Sequence, residues 1–299
     1  MIYWIAGIWD WLVSDWSTEK SFLRSLMFPL VVGGVSAFSG TLFASRLTAK
    51  RERLKKQEDL LGELLGASAL LAYICNSAVS LKAQHTLALA TDYSNSRKQF
   101  LSSFTGETKA NAEVTIPIDL QHLSAPELDG ARLVQTMVEV GQFDLRNLLA
   151  ANALSASIEN LSVGLNTRNN LITEFRVNFV GLSIIERATL YYGLHHSDFG
   201  TDTRYKSSVE IIAKAVDDVI FFSRHLYKRV LKDAIEAKSK LPSAQRSKHP
   251  ILAMQFSASH GHLLPDESAY TDWTSEPAIR KKMWFRPMKG HELELLDRI

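Results

Sequence analysis

The residues of this chain that could do chemistry are few and scattered. His260-Gly-His262, with His249, Asp266 and Glu267 nearby, supplies the nitrogen and oxygen donors of a zinc site. Histidines this close in a Pro-rich segment read as surface or packing residues rather than ligands. His195-His196, at the head of a loop running to Gly200, reads the same way, because no carboxylate-rich helix faces it. Cys75 is the single cysteine, so no intramolecular disulfide can form and nothing argues for an oxidising compartment. On an apolar helix face it reads as a small buried side chain rather than a nucleophile. Arg280-Lys281-Lys282 beside Trp284 combines charge with a stacking surface, as a nucleic-acid contact would. A net charge of only +2 leaves it a solvated basic turn, and nucleic acid is not an expected partner. There is no glycine-rich phosphate loop, nucleophile elbow, H-E-x-x-H or cysteine cluster, and no Glu/His pairing of the di-iron kind. The expectation is a protein that is not an enzyme, with no catalytic residues, cofactor or metal.

The positioning elements say more than the reactive residues do. Residues 25–45 carry no charge, between Arg24 and Arg46. At helical rise such a run spans about 31 Å, the thickness of a bilayer's hydrocarbon core. Pro29 falls near its start, where a missing N–H is tolerated. Gly33, Gly34 and Gly40 weaken a soluble helix but are common in membrane helices. Small residues recur at spacing four, as Gly33/Ala37 and as Ser36/Gly40/Ala44. Such rows let two helix backbones approach closely in lipid, so homo-oligomerisation through them is expected.

The flanks orient the segment. Arg46, Lys50, Arg51, Arg53, Lys55 and Lys56 follow it against one acid, Glu52, whereas Lys20 and Arg24 before it are balanced by Asp10, Asp15 and Glu19. The positive-inside rule then places the N-terminus outside and the C-terminal body in the cytoplasm, at a bacterial inner membrane in this reading. The same basic collar can hold anionic headgroups. Trp4, Trp9, Trp11 and Trp16 crowd the first sixteen residues on an apolar helical pattern too short to span, which suits a helix lying in the interface.

Beyond the collar, Leu47, Leu54 and Leu61 recur every seven residues, with Leu65, Ala72 and Val79 continuing a partner row. This resembles a coiled-coil seam over about two heptads, followed by a broader face of Leu60, Leu64, Leu71 and Ile74. Residues 67–83 are apolar enough to raise a second span in a hairpin; Asn76, Ser77, Ser80 and Lys82 favour a bundle-facing helix. Further helices are expected from Ser124, as an N-cap with Glu127, to a stop at Gly164 and Asn166, and then from 170 to 196 around an apolar centre, FVGLSII. A last helix carries a capping box at Ser207 and Glu210 and ends before Pro242. Residues 114–120 alternate like a strand, but Pro117 permits only an edge strand or a loop. The predicted fold is all-α: an interfacial helix at 1–20, a transmembrane helix at 21–46, a stalk at 47–91 and a cytosolic helical bundle at 92–241. A Pro- and aromatic-rich arm at 242–299 packs over the bundle or binds a partner.

Two functional expectations follow. One is a membrane-anchored helical adaptor or sensor whose bundle binds a protein at the cytoplasmic face. The other is a membrane-perturbing effector, toxin-like, that oligomerises through its transmembrane helix. The layout resembles that of small membrane proteins accompanying bacterial phage-defence modules; the resemblance is one of layout, carried by no motif, and implies an antiviral effector role.

Overall fold

A computed structural model describes residues 21–104, 117–140, 144–251, 253–254 and 258–274. The protein is mostly helical, and its one sheet among the described residues has two short strands. The chain divides into two units, Met1–Glu58 and Asp59–Ile299. The tryptophans of the first sixteen residues, the basic turn at 280–282 and residues 114–116 lie outside the described residues.

Every described residue of the first unit belongs to α1 (Ser21–Leu81), whose remaining residues lie in the second unit. Pro29 lies within α1, in the second turn of the uncharged run at 25–45. Proline has no N–H to give the carbonyl four residues back.

The second unit is organised around two long antiparallel partners, α4 (Leu145–Asn178) and α6 (Arg204–Ser239). Leu154, Leu161, Leu165 and Ile172 of α4 and Val209, Ile212, Val216 and Val219 of α6 are buried in one continuous core. Their spacing of three, four and seven residues puts each set on one face. The end of α1 adds Leu61, Leu64, Leu71, Ile74 and Ala78 to this core. A π-helical turn, Lys82–Thr86, then passes the chain to α2 (Leu87–Phe104), which adds Tyr93 and Phe100. Lys82 donates to Asp217 of α6 at 2.5 Å, with the lysine side chain only 12% exposed. The apolar run at 67–83 therefore goes into the bundle, and no turn interrupts α1 where a hairpin would need one. The heptad row is buried only from Leu61 onward; Leu47 remains 41% exposed.

Several local expectations are corrected. No helix begins at Ser124: residues 121–129 are irregular, and α3 (Gly130–Val140) starts after Asp129, whose carboxylate accepts from the Arg132 N–H at 2.8 Å. Gly164 and Asn166 do not end a helix, because α4 runs through both. Gly164 is there for close approach, since a Cβ would lie 3.1 Å from Ile212 Cγ1. Gly130 plays the same part between α3 and α4, with a Cβ there only 2.9 Å from the Ser155 Cα.

FVGLSII is not the centre of a buried helix either. It is a turn with Gly181 at φ 83°, leading into α5 (Ile184–Tyr191). Ser183 and Glu186 form the capping box, each side chain bonding to the other's backbone N–H. Val180 and Ile184 of this stretch are 79% and 59% exposed. His195–His196 (β1) pairs antiparallel with Gly200–Thr201 (β2) rather than forming an open loop. The match at Ser207 lies inside α6, one turn after its start at Arg204.

Beyond α6 the chain stays on the bundle. Arg246 in the short α7 (Ser243–Arg246) donates to the carbonyls of Leu241 and Ser239, both at 2.6 Å, satisfying acceptors that a helix end leaves open. Met254 and Leu263 join the core. Tyr270 stacks on Phe221 at 3.8 Å between centroids, and Trp273, in α8 (Thr271–Thr274), meets Phe222 edge-on at 5.0 Å. The described residues of the arm, up to 274, form a covering layer of the bundle.

Candidate functional site

Of the residues expected to contact lipid, those described lie on α1. From Val32 to Ser45 every side chain described is exposed, including Val32, Leu42 and Phe43 at 48%, 46% and 70%. The hydroxyls of this stretch turn back onto their own helix. Ser36 Oγ donates to the Val32 carbonyl at 2.7 Å, Ser39 to Ser36 at 3.1 Å, Thr41 to Ala37 at 3.0 Å and Ser45 to Leu42 at 3.0 Å. In water such back-bonding competes with solvent and gains little; in hydrocarbon it is how a hydroxyl is satisfied at all. The described side chains of α1 at 32–45 thus present apolar atoms with internally paired hydroxyls.

At about 100° per residue, Gly33, Ala37, Gly40 and Ala44 fall within an arc of roughly 60°, with Ser36 at its edge. All five are exposed, and a Cβ added at Gly33 or Gly40 would meet nothing within 4 Å. Arg46, Lys50, Arg51, Arg53, Lys55 and Lys56 are exposed as well. Their spacing distributes them around the helix, so they make a collar rather than a stripe.

In the second unit the sequence reading missed a buried polar cluster. Arg168 is fully buried on α4. Its guanidinium donates to Asp119 Oδ2 at 2.9 Å and the Gln121 carbonyl at 2.7 Å, and lies over the Tyr205 ring at 5.6 Å. Asn169 exchanges two bonds with the backbone of Leu123, at 2.8 and 3.1 Å. Tyr205 donates to the Asp119 carbonyl at 3.1 Å, and Tyr192 to the Pro117 carbonyl at 3.2 Å. Together they fasten the irregular segment 117–123 across α4, α5 and α6. Burial pushes the Tyr93, Tyr191 and Tyr205 hydroxyls above their ordinary values, so they act as neutral donors, not nucleophiles. The available signal was Arg168 itself, a charge on the apolar face between Leu165 and Leu171 that needed a partner.

The reactive candidates are each placed. Cys75 is buried, and burial pushes its thiol up to about 11, which keeps it protonated. His260 and His262 are exposed on a 3-10 turn, Ala258–Leu263. Asp266 caps the next turn through Ser268 at 2.9 Å, and Glu267 pairs with Arg224 at 3.5 Å. Among the described residues no three His, Cys, Asp or Glu side chains come together to hold a metal. His195 is exposed, while His196 is buried and its Nδ1 accepts from the Asp198 N–H at 3.1 Å, which holds the hairpin turn.

Among the described residues two helices are long and apolar enough to cross a membrane by length and composition, one running from Val32 to Ser103 and the other α4. The most apolar window of the first is half buried, and α4 buries Leu154, Leu161, Leu165 and Ile172 inside the bundle, so core helices of the second unit meet the same criterion. No known family matches the chain, and no curated protein or solved structure is significantly similar to it.

Proposed function

We propose that the protein is a membrane-anchored helical adaptor or sensor whose cytoplasmic bundle binds another protein. One observation carries the reading: from Val32 to Ser45, α1 is charge-free, exposed in apolar groups and internally satisfied in its hydroxyls. It leads directly into exposed cations. In this reading residues 21–46 span the bilayer, the collar meets the inner headgroups, and the body of the chain lies in the cytoplasm. The six cations at 46–56, against the single acid Glu52, support that orientation.

Single-cysteine labelling tests it. In a Cys75→Ala background, cysteines replacing Ser17 and Ser239 are probed in intact bacteria with a membrane-impermeant maleimide. Labelling at position 17 alone supports the orientation; labelling at position 239 in sealed cells overturns it. Affinity capture from detergent addresses the partner. Recovery of a stoichiometric protein lost on deleting residues 92–299 supports the adaptor, and recovery of the protein alone counts against it.

The open small-residue face favours a second reading, a membrane-perturbing effector assembled through α1. Inducible expression with a membrane-potential dye separates the two. Retained potential and growth at high expression, with or without phage challenge, would sink the effector reading. Depolarisation unchanged by Gly40→Leu with Ala44→Leu would rule out that face.

A further inference from the structure

A cleft of 170 Å³ opens in the second unit between α6 and the segment covering it, lined by Phe221, Arg224, His225, Lys228, Glu267 and Thr274. Its floor is Phe221, stacked on Tyr270, whose hydroxyl donates to Asp218 at 2.6 Å. Among the described residues, most of the charges acting on His225 are positive: Arg224, Lys228 and Arg229 on α6 and Arg146 on α4 lie near it, with Glu267 in the cleft lining and Asp233 beside Arg229. Glu267 already serves Arg224 at 3.5 Å, and Arg146 reaches across to the Asp272 carbonyl at 2.7 Å.

Within this cationic setting His225 Nε2 is buried and has no hydrogen-bond partner among the described residues. A buried polar atom left unpaired costs free energy, about 1–3 kcal/mol, and calls for an explanation. Burial first, then the charges of Arg229, Arg146 and Lys228, hold the imidazole below its usual value. An anion in the cleft offsets the electrostatic part of that penalty, whereas a metal ion would add to it.

We propose that this cleft binds a phosphoryl group, with Lys228 and Arg224 as its charged donors and the neighbouring His225 ring sensing its charge. Several divergent cationic donors suit the three outward oxygens of a phosphoryl dianion. The source is either a soluble phosphate compound or a phospholipid headgroup, and the site is independent of the membrane reading.

The test uses the full chain in dodecyl maltoside micelles, with histidine rings labelled for NMR and the His225 signal assigned by its loss in His225→Gln. Inorganic phosphate and glycerol 3-phosphate are titrated. The protein is also placed in nanodiscs of phosphatidylcholine alone or with phosphatidylglycerol. The expected result is a saturable shift of the His225 signal that strengthens as pH falls, because the anion favours the protonated ring. Half-saturation is expected to weaken at least tenfold in Lys228→Glu. It should stay within twofold in Lys214→Glu, the same charge change at an exposed position of α6 outside the cleft. Lys228→Gln, with an intermediate loss, replaces Lys228→Glu if the latter melts early. Saturation by the free phosphates assigns a soluble ligand; a shift confined to phosphatidylglycerol nanodiscs assigns a headgroup. No saturable shift with any probe, or equal half-saturation in the Lys228 variants, overturns the proposal.

Discussion

An arginine at Ala37 separates a bilayer helix from an exposed helix in water more sharply than any other single change. Ala37 is exposed near the middle of the uncharged run. In water, arginine at an exposed helical position is close to neutral, within about 0.5 kcal/mol. At a bilayer midplane the same side chain adds about 3 kcal/mol to insertion. The nine Leu, Val and Phe residues of positions 25–45 supply about −4 kcal/mol on the same scale. One arginine therefore consumes most of the insertion free energy, and a second at Gly40 exceeds it. The assay is the fraction retained in membranes after alkaline carbonate extraction, with the soluble fraction checked for helical content. Ala37→Arg should leave a mixed population, and Ala37→Arg with Gly40→Arg should remove the protein from the membrane fraction. A double variant that is retained like the wild type refutes the reasoning, as does a wild-type protein that extracts into the soluble fraction.

The bundle yields further expectations. Cys75 should react with maleimide at pH 7 at a rate below a hundredth of a free thiol's and become fully reactive in denaturant; a prompt native-state reaction contradicts its burial. Arg168→Met should destabilise by about 2–3 kcal/mol in urea melts. That is less than the loss of a wholly buried pair, because Asp119 is 44% exposed and can rehydrate. A double-mutant cycle with Asp119→Asn should return a coupling above about 0.5 kcal/mol, and additive changes would deny the pair. Without added anions, stability should fall as pH drops below the unfolded histidine range. His225 is depressed in the folded state, so the unfolded chain binds more protons there. His225→Gln should flatten that limb of the profile, and an unchanged slope would exclude His225 as its source.

The helical body was legible because periodic apolar faces are long-range signals. The rows Leu154, Leu161, Leu165 and Val209, Ile212, Val216 survive errors of several residues at either end, and both sets are core. Helix boundaries were not, because their chemistry is ambiguous until the neighbours are known. Ser207 and Glu210 have the same spacing as Ser183 and Glu186, yet only the second pair caps a helix. Gly181 at φ 83° decides that case, since it breaks the chain two residues before Ser183. The buried Arg168 cluster was illegible for a different reason. Its partners lie 46 to 49 residues away on an irregular segment with no period to reveal it.

Glycine carries the most instructive contrast. Gly164 and Gly130 sit where a neighbouring helix leaves no room for a side chain, so each converts a weak helix former into close packing. Gly33, Gly34 and Gly40 carry the same propensity cost, roughly 1 kcal/mol each relative to alanine in water, with no neighbour within 4 Å of an added Cβ. Nothing among the described residues compensates them. Two environments would: lipid, where breaking a backbone hydrogen bond is so unfavourable that propensity matters little, or a second copy of α1 laid against the Gly33/Ala37/Gly40/Ala44 face. The two are distinguishable by one substitution. Gly40→Leu adds apolar surface and helix propensity, so it leaves insertion intact or improves it if lipid alone covers the face. If a second copy covers it, the same leucine separates the backbones, and disulfide crosslinking through a cysteine at Ser36 in the Cys75→Ala background should fall several-fold. Crosslinking unchanged by Gly40→Leu would leave the face to lipid and remove the ground for assembly through it.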